Sequence, residues 1–345
     1  MRLGHLFLAL ALSLVVLAGC GSNDDDASGG ASNEEAEASA FPVTIEHKYG
    51  STTIESKPER VVVAGLREQD ALLAMGVVPV ATTDWYGDHP GGIFPWATDE
   101  LGDAKVPVVL NQDDGIQIEK VAAQRPDLII AVYSGLKKKE YEALSNFAPV
   151  IAQPKGKVDY GSSWQQETLM TGRAIGQPER AQALVDKTEK LIADTAAEHP
   201  DFEGKSAANI TDYEGIFVYG PQDARTTMLE ALGFEYPDEL REAFPDEFGG
   251  QLSDEKVDLL DVDALVWFAD GERTVKELKE LPVYSKLGVR KQERDVFIRK
   301  NDRVYEATSF PSVLSMPLLM KELAPRLEAA VDGDPQTSTD QQPAS

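Results

Sequence analysis

From residue 60 onward, short apolar runs rich in Val and Ile alternate with segments whose apolar positions recur every three or four residues. A short, wholly apolar run suits a strand covered on both faces, and the longer period suits a helix packed along one side. The alternation therefore predicts parallel sheets with crossover helices. In the first half it reads strand 60–64, helix 68–75 ended by Gly76, strand 77–81, helix 118–124, strand 127–132, helix 138–147 and strand 149–152. Residues 164–174 read as a further helix, interrupted by Gly176-Gln177-Pro178. Pro178 then fits the first turn of a new helix, where its missing N–H is no loss. Ala181, Leu184, Val185, Thr188, Leu191, Ile192 and Thr195 keep one face apolar as far as residue 198 with no further Gly or Pro. That spacing predicts a single rod about 30 Å long.

The second half repeats the alternation, with strands over 206–211 and 264–268, a helix over 226–232 before Gly233, a strand pair at 295–299 and 303–307, and a last helix over 312–331. The expected class is α/β: two Rossmann-like lobes, residues 41–177 and 200–331, joined by one long helix at 178–199, with a ligand cleft between them.

Both ends fall outside this pattern. A basic start, an apolar run over residues 6–18 and a small residue before Cys20 are the parts of a secretory signal over residues 1–19. The run is shorter than the roughly 20 apolar residues that span a bilayer. Leu17-Ala18-Gly19-Cys20 resembles the lipobox of bacterial lipoproteins. That resemblance implies cleavage before Cys20, lipid attachment to its thiol and anchoring at the extracytoplasmic face of the cell membrane. Residues 20–40, rich in Gly, Ser and Ala, with six acids and no base or aromatic, are expected to be a flexible, self-repelling tether, and residues 332–345 a disordered tail.

Composition narrows the function. A chain of 345 residues, 42% hydrophobic, is long and apolar enough for two ordinary cores or one large one. With 33 Lys and Arg against 59 Asp and Glu, its formal charge is −26, which argues against nucleic acid as a partner. A single Cys rules out an internal disulfide and a cysteine metal cluster. No nucleophile elbow, Walker loop, dinucleotide fingerprint or His-Glu-x-x-His is present, so the chain is not expected to be an enzyme. His47, His89 and His199 are scattered and read as surface residues, with no protein-built metal site. Asn111-Gln112-Asp113-Asp114-Gly115 reads as a turn, and Asn209-Ile210-Thr211 as a chance glycosylation pattern on a strand.

In open parallel sheets, ligands bind outside the carboxyl ends of the strands. Arg67 follows the first strand. The long segment 83–96 holds Trp85, Tyr86 and Trp96, and Tyr133 follows the strand at 127–132. Tyr213, Phe217, Tyr219, Arg225, Trp267 and Phe310 hold comparable places in the second half. Phe217 and Trp267 read as core, and Arg225 could simply cap a helix. The ligand-binding set expected for the cleft is Arg67, Trp85, Tyr86, Tyr133, Tyr213, Tyr219, Arg225 and Phe310.

Pro58-Glu59-Arg60-Val61-Val62-Val63 with residues 70–80, Arg125-Pro126-Asp127-Leu128-Ile129, residues 141–150, 228–234 and 253–263, and Ser309-Phe310-Pro311-Ser312 follow one another in an order that resembles the substrate-binding lipoproteins of ABC importers for ferric siderophores, haem or cobalamin. The closing segment points to the iron-siderophore branch. The resemblance implies capture of a ferric siderophore and delivery to a permease dimer, iron held through the siderophore with no cofactor of the protein's own, and a monomer. It also implies that Glu119 and Glu255, one per lobe, dock onto permease arginines; otherwise each is a carboxylate at a helix start, with Ser253 as a cap. A haem or cobalamin carrier of the same fold, and an extracellular α/β enzyme, are the other readings.

Overall fold

Residues 40–84, 87–111, 115–245, 248–300, 302–334, 337 and 339 are described by the computed structural model; Cys20, Trp85 and Tyr86 lie outside them. β1 (Val43–His47) and β2 (Gly50–Ile54) pair as an antiparallel hairpin that buries Ile45 and Ile54. β3 (Val61–Val63), β4 (Ala81–Asp84), β5 (Val108–Asn111), β6 (Leu128–Ala131) and β7 (Val150–Ala152) form a parallel sheet in the order β5-β4-β3-β6-β7. β8 (Ala207–Asp212), β9 (Ile216–Tyr219), β10 (Gly249–Gln251), β11 (Ala264–Ala269) and β12 (Asp295–Arg299) form the second, in the order β10-β9-β8-β11-β12. There β8, β11 and β12 run parallel and β9 is antiparallel to both neighbours. β3, β6, β7 and β11, all wholly apolar runs, are buried along their full length, as strands covered on both faces must be.

Each sheet reverses its winding once, between β3 and β6 in the first and between β8 and β11 in the second. At such a point the connections leave in opposite directions and open a crevice at the strand ends.

The rod Pro178–Glu198 forms as its spacing predicts, with Pro178 in the first turn. Its two ends serve different cores. Ala181 packs with Val61, Leu72 and Ile130 of the first lobe, whereas Val185 and Ile192 pack with Phe202, Leu229 and Val266 of the second.

Four expectations change. The second strand begins at Ala81, where a run from 77 was expected, because Pro79 has no N–H to give the ladder. Residues 303–307 form no strand: Arg303–Ser309 is a helix, capped by the Asp302 carboxylate accepting from the Val304 N–H, and Val304, Ala307 and Thr308 bury one face. β12 pairs with β11 instead. The last helix is two, Met316–Glu322 and Ala324–Val331, divided at Pro325, which removes a donor and crowds the carbonyl four residues back. Glu255 lies in a 3-10 turn, Asp254–Leu260, that the Ser253 side chain does not cap.

Candidate interlobe cleft

Arg67 leaves the end of β3 at the first crevice. Its guanidinium is buried, bonded through Nε to the Glu167 carboxylate, donating from Nη2 to the Ser162 carbonyl at 2.7 Å and lying 3.7 Å from the ring centre of Tyr133 at the end of β6. Nη1 has no hydrogen-bond partner. Burial works against the charge, yet Glu167, Tyr133 and Glu68 together outweigh it and hold the Arg67 pKa above its ordinary value. Glu68 fixes the turn: its carboxylate accepts the backbone N–H of Tyr133 at 2.8 Å and that of Arg67 at 3.1 Å. A Cβ at Gly65 would sit 2.0 Å from a Glu68 oxygen and would push the carboxylate off these N–H groups.

The second crevice carries a matching unit. Asp223 caps the helix Ala224–Ala231 by accepting the Arg225 N–H, and its other oxygen accepts from Arg225 Nη1 at 2.8 Å. This corrects the reading of Arg225 as a cap. The guanidinium lies 4.0 Å from the ring centre of Tyr219 and 5.4 Å from that of Phe268. Each lobe thus presents an arginine stacked on a tyrosine and neutralised by a buried carboxylate. The two units face each other closely enough that Asp223 raises and Arg225 lowers the pKa of Tyr133, which burial pushes up to about 12.

A cavity of about 520 Å³ opens at the carboxyl ends of β8 and β11. Tyr213, Phe217, Tyr219, Phe248, Phe268 and Tyr305 make its aromatic walls, Arg225 is its guanidinium, and Asp212 and Asp270 stand at its edge. The rings continue across the cleft. Tyr133 meets Tyr160 at 5.7 Å, Tyr160 meets Phe248 of the other lobe at 6.3 Å, and Phe248 meets Tyr219 at 5.8 Å. Beside this arc the lobes are tied by His89 Nε2, 2.9 Å from both Glu306 oxygens, and by Asp70, which accepts from Trp96 Nε1 at 2.7 Å and from the Ser312 hydroxyl. Phe310 is buried against Phe94 with ring centres 5.4 Å apart, in the floor between the lobes.

Of the residues expected at the cleft, Tyr213, Tyr219 and Arg225 line the cavity, and Arg67, Tyr133 and Phe310 lie beneath or beside it. Trp85 and Tyr86 fall outside the described residues. Phe217, read from sequence as core, is half-buried and lines the wall, whereas Trp267 is core as expected. Tyr160, Phe248 and Tyr305 were not expected. Tyr160 holds a φ of 59°, a conformation a bulky side chain adopts only where surrounding structure enforces it. Among the described residues no group of three or more His, Cys, Asp or Glu is arranged to hold a metal ion.

The architecture has relatives. The sequence matches the periplasmic binding protein family over residues 61–304. A Bacillus subtilis protein named "Probable siderophore-binding lipoprotein YfiY" is 25% identical over 283 residues, covering 80% of this chain and 82% of its own. The crystal structure of a periplasmic solute binding protein from Mycobacterium smegmatis superposes with a TM-score of 0.73 at 34% identity, over 84% of this chain and 98% of that one. PiaA of Streptococcus pneumoniae, solved in complex with ferrichrome, has the same fold at a TM-score of 0.75 and 24% identity, over 84% of this chain and 99% of its own. With two α/β lobes, a continuous helix between them and a cleft at both winding reversals, the chain belongs to the periplasmic binding protein family.

Proposed function

We propose that this protein captures a ferric siderophore in the interlobe cleft and delivers it to the permease of an ABC importer at the extracytoplasmic face of the cell membrane. The observation that carries this reading is the aromatic cavity of about 520 Å³, lined by six rings and one guanidinium of the second lobe and opening where its sheet reverses its winding. Such a surface packs against a large organic complex and offers few fixed polar contacts. The names of the Bacillus relative and of the ferrichrome-bound structure support the same ligand class.

In this reading the siderophore supplies the iron's ligands. The cleft tyrosines keep their protons: burial raises the pKa of Tyr133, Tyr219 and Tyr305 alike, so each phenol is a hydrogen-bond donor and a packing face at neutral pH. Cys20 carries the lipid anchor. No helix among the described residues is long and apolar enough to cross a membrane. Glu119 and Glu255 meet the permease. Both are exposed, and each lies in the first turn of the helical segment that follows an edge strand of its sheet, β5 or β10.

The test is equilibrium titration followed by tryptophan fluorescence, with iron-loaded and iron-free siderophores, cobalamin and haem as ligands. A saturable change with a ferric siderophore at one per chain is expected. A response to cobalamin or haem alone would move the protein to another branch of the family.

A further inference from the structure

Resting on the siderophore reading, we infer that the cleft selects a ferric complex without net negative charge, a neutral or cationic trihydroxamate, and disfavours anionic tris-catecholates and citrate complexes. An acidic protein that takes an anionic complex needs uncommitted positive charge where the ligand sits. Among the described residues that line the cavity, the cation is Arg225, and it is paired. Its charge is balanced by Asp223, and Arg67, buried outside the cavity wall, is bound to Glu167; all four side chains are at most 9% exposed. At the edge, Asp270 has Lys300 at 3.6 Å; Lys48 and Lys137 share the carboxylate of Asp159, which leaves one positive charge on that surface, outside the cavity lining. Asp212 adds an exposed negative charge to the mouth. Lys139, Lys155 and Lys157, beyond the ends of β6 and β7, stand in solvent or at its edge, where salt screens them. The internal residues outside the described set bring Asp113, Asp114, Asp246 and Glu247 to the chain and no Lys or Arg.

What balanced guanidiniums recognise well is an acceptor oxygen carrying partial charge. Arg225, in the cavity wall, is a donor of this kind. The oxygens of a ferric trihydroxamate fit it, and the six rings accept the ligand's hydrocarbon backbone. A highly anionic complex would lose its hydration and meet carboxylates without compensation.

The experiment compares ferrichrome, which is neutral, ferrioxamine B, which is cationic, and the anionic ferric enterobactin and ferric dicitrate, each titrated into the protein at low and high salt. The two trihydroxamates should bind more tightly than either anion, by on the order of 100-fold, since a like-charge mismatch costs several kcal/mol. Asp223→Asn unbalances Arg225 while asparagine still caps the helix. It should improve the affinity for the anions by about tenfold, as one unit of uncompensated charge in a partly buried site would. Should an anion bind most tightly in the wild type, the inference is overturned and siderophore capture stands. If no ferric complex of any class binds, it is the siderophore reading itself that fails. A variant that melts early leaves the wild-type ranking to decide.

Discussion

Asp70 is the residue whose environment speaks most directly to pH. It is buried, its Oδ2 accepts from Trp96 and Ser312, and its Oδ1 has no partner. Burial pushes its pKa from 3.8 up to about 6. The folded chain therefore holds this proton more tightly than the unfolded chain. The resulting stability is full below the ordinary pKa and is lost as pH rises through about 6, by about 3 kcal/mol in all. Denaturant midpoints between about pH 4 and about pH 7 should fall accordingly, and Asp70→Asn, which keeps an acceptor for both donors, should flatten that part of the profile. At Arg67 the cost lies in separation of charge. Arg67→Ala leaves Glu167 buried without its counter-ion and should destabilise by about 3–5 kcal/mol, whereas replacing both with Met should restore most of the loss in urea melts. Among cleft residues, Arg67, Tyr133 and Arg225 were legible in the sequence because each stands just past a strand or at a helix start, places that the apolar period marks. Tyr160, Phe248 and Tyr305 were not. Tyr160 and Phe248 sit in irregular segments without a period, and Tyr305 was hidden by reading its helix as a strand.

At the scale of elements, long regular periods were read correctly and short or punctuated ones were not. The rod Pro178–Glu198 matches its expected limits because seven apolar positions over 21 residues leave no other solution. β1, β2, β5, β9 and β10 went unread: each is three to five residues long, and most alternate buried and exposed positions in a stretch too short to register. In β10 the signal is two glycines. A Cβ on Gly249 would lie 2.3 Å from the Val218 carbonyl, so the strand exists through close backbone approach, not through side-chain pattern. The rod's role in both cores gives a direct expectation. Ile192→Ala, which opens a cavity in the second core, should cost about 2–4 kcal/mol, and Lys187→Ala on the exposed face should stay within about 0.5 kcal/mol, both read from urea unfolding.

For the whole molecule, two lobes that share one rod and are tied by His89 with Glu306 and by Asp70 with Ser312 leave room for small closing motions about a formed cleft. The transporter-facing role assigned to Glu119 and Glu255 can be separated from ligand binding. Replacing either with Ala should reduce siderophore-dependent iron uptake by cells severalfold and leave the affinity in solution unchanged; a fall in affinity would place the residue in the ligand site instead. The acidic balance of the sequence, with its formal charge of −26, takes on a definite meaning once the cleft's cations are seen to be paired. It excludes partners through bulk charge, and it continues into the site.

The claim on which all of this depends is that one ferric complex is held between both lobes. Amide hydrogen exchange with and without ferrichrome tests it most directly. Exchange should slow in segments of both lobes at once, around Tyr133 and Tyr160 on one side and around Tyr219, Arg225 and Phe248 on the other. Protection confined to one lobe, or centred on the groove of about 290 Å³ lined by Val78, Pro79, Val106 and Pro107 at the opposite end of the first sheet, would contradict it.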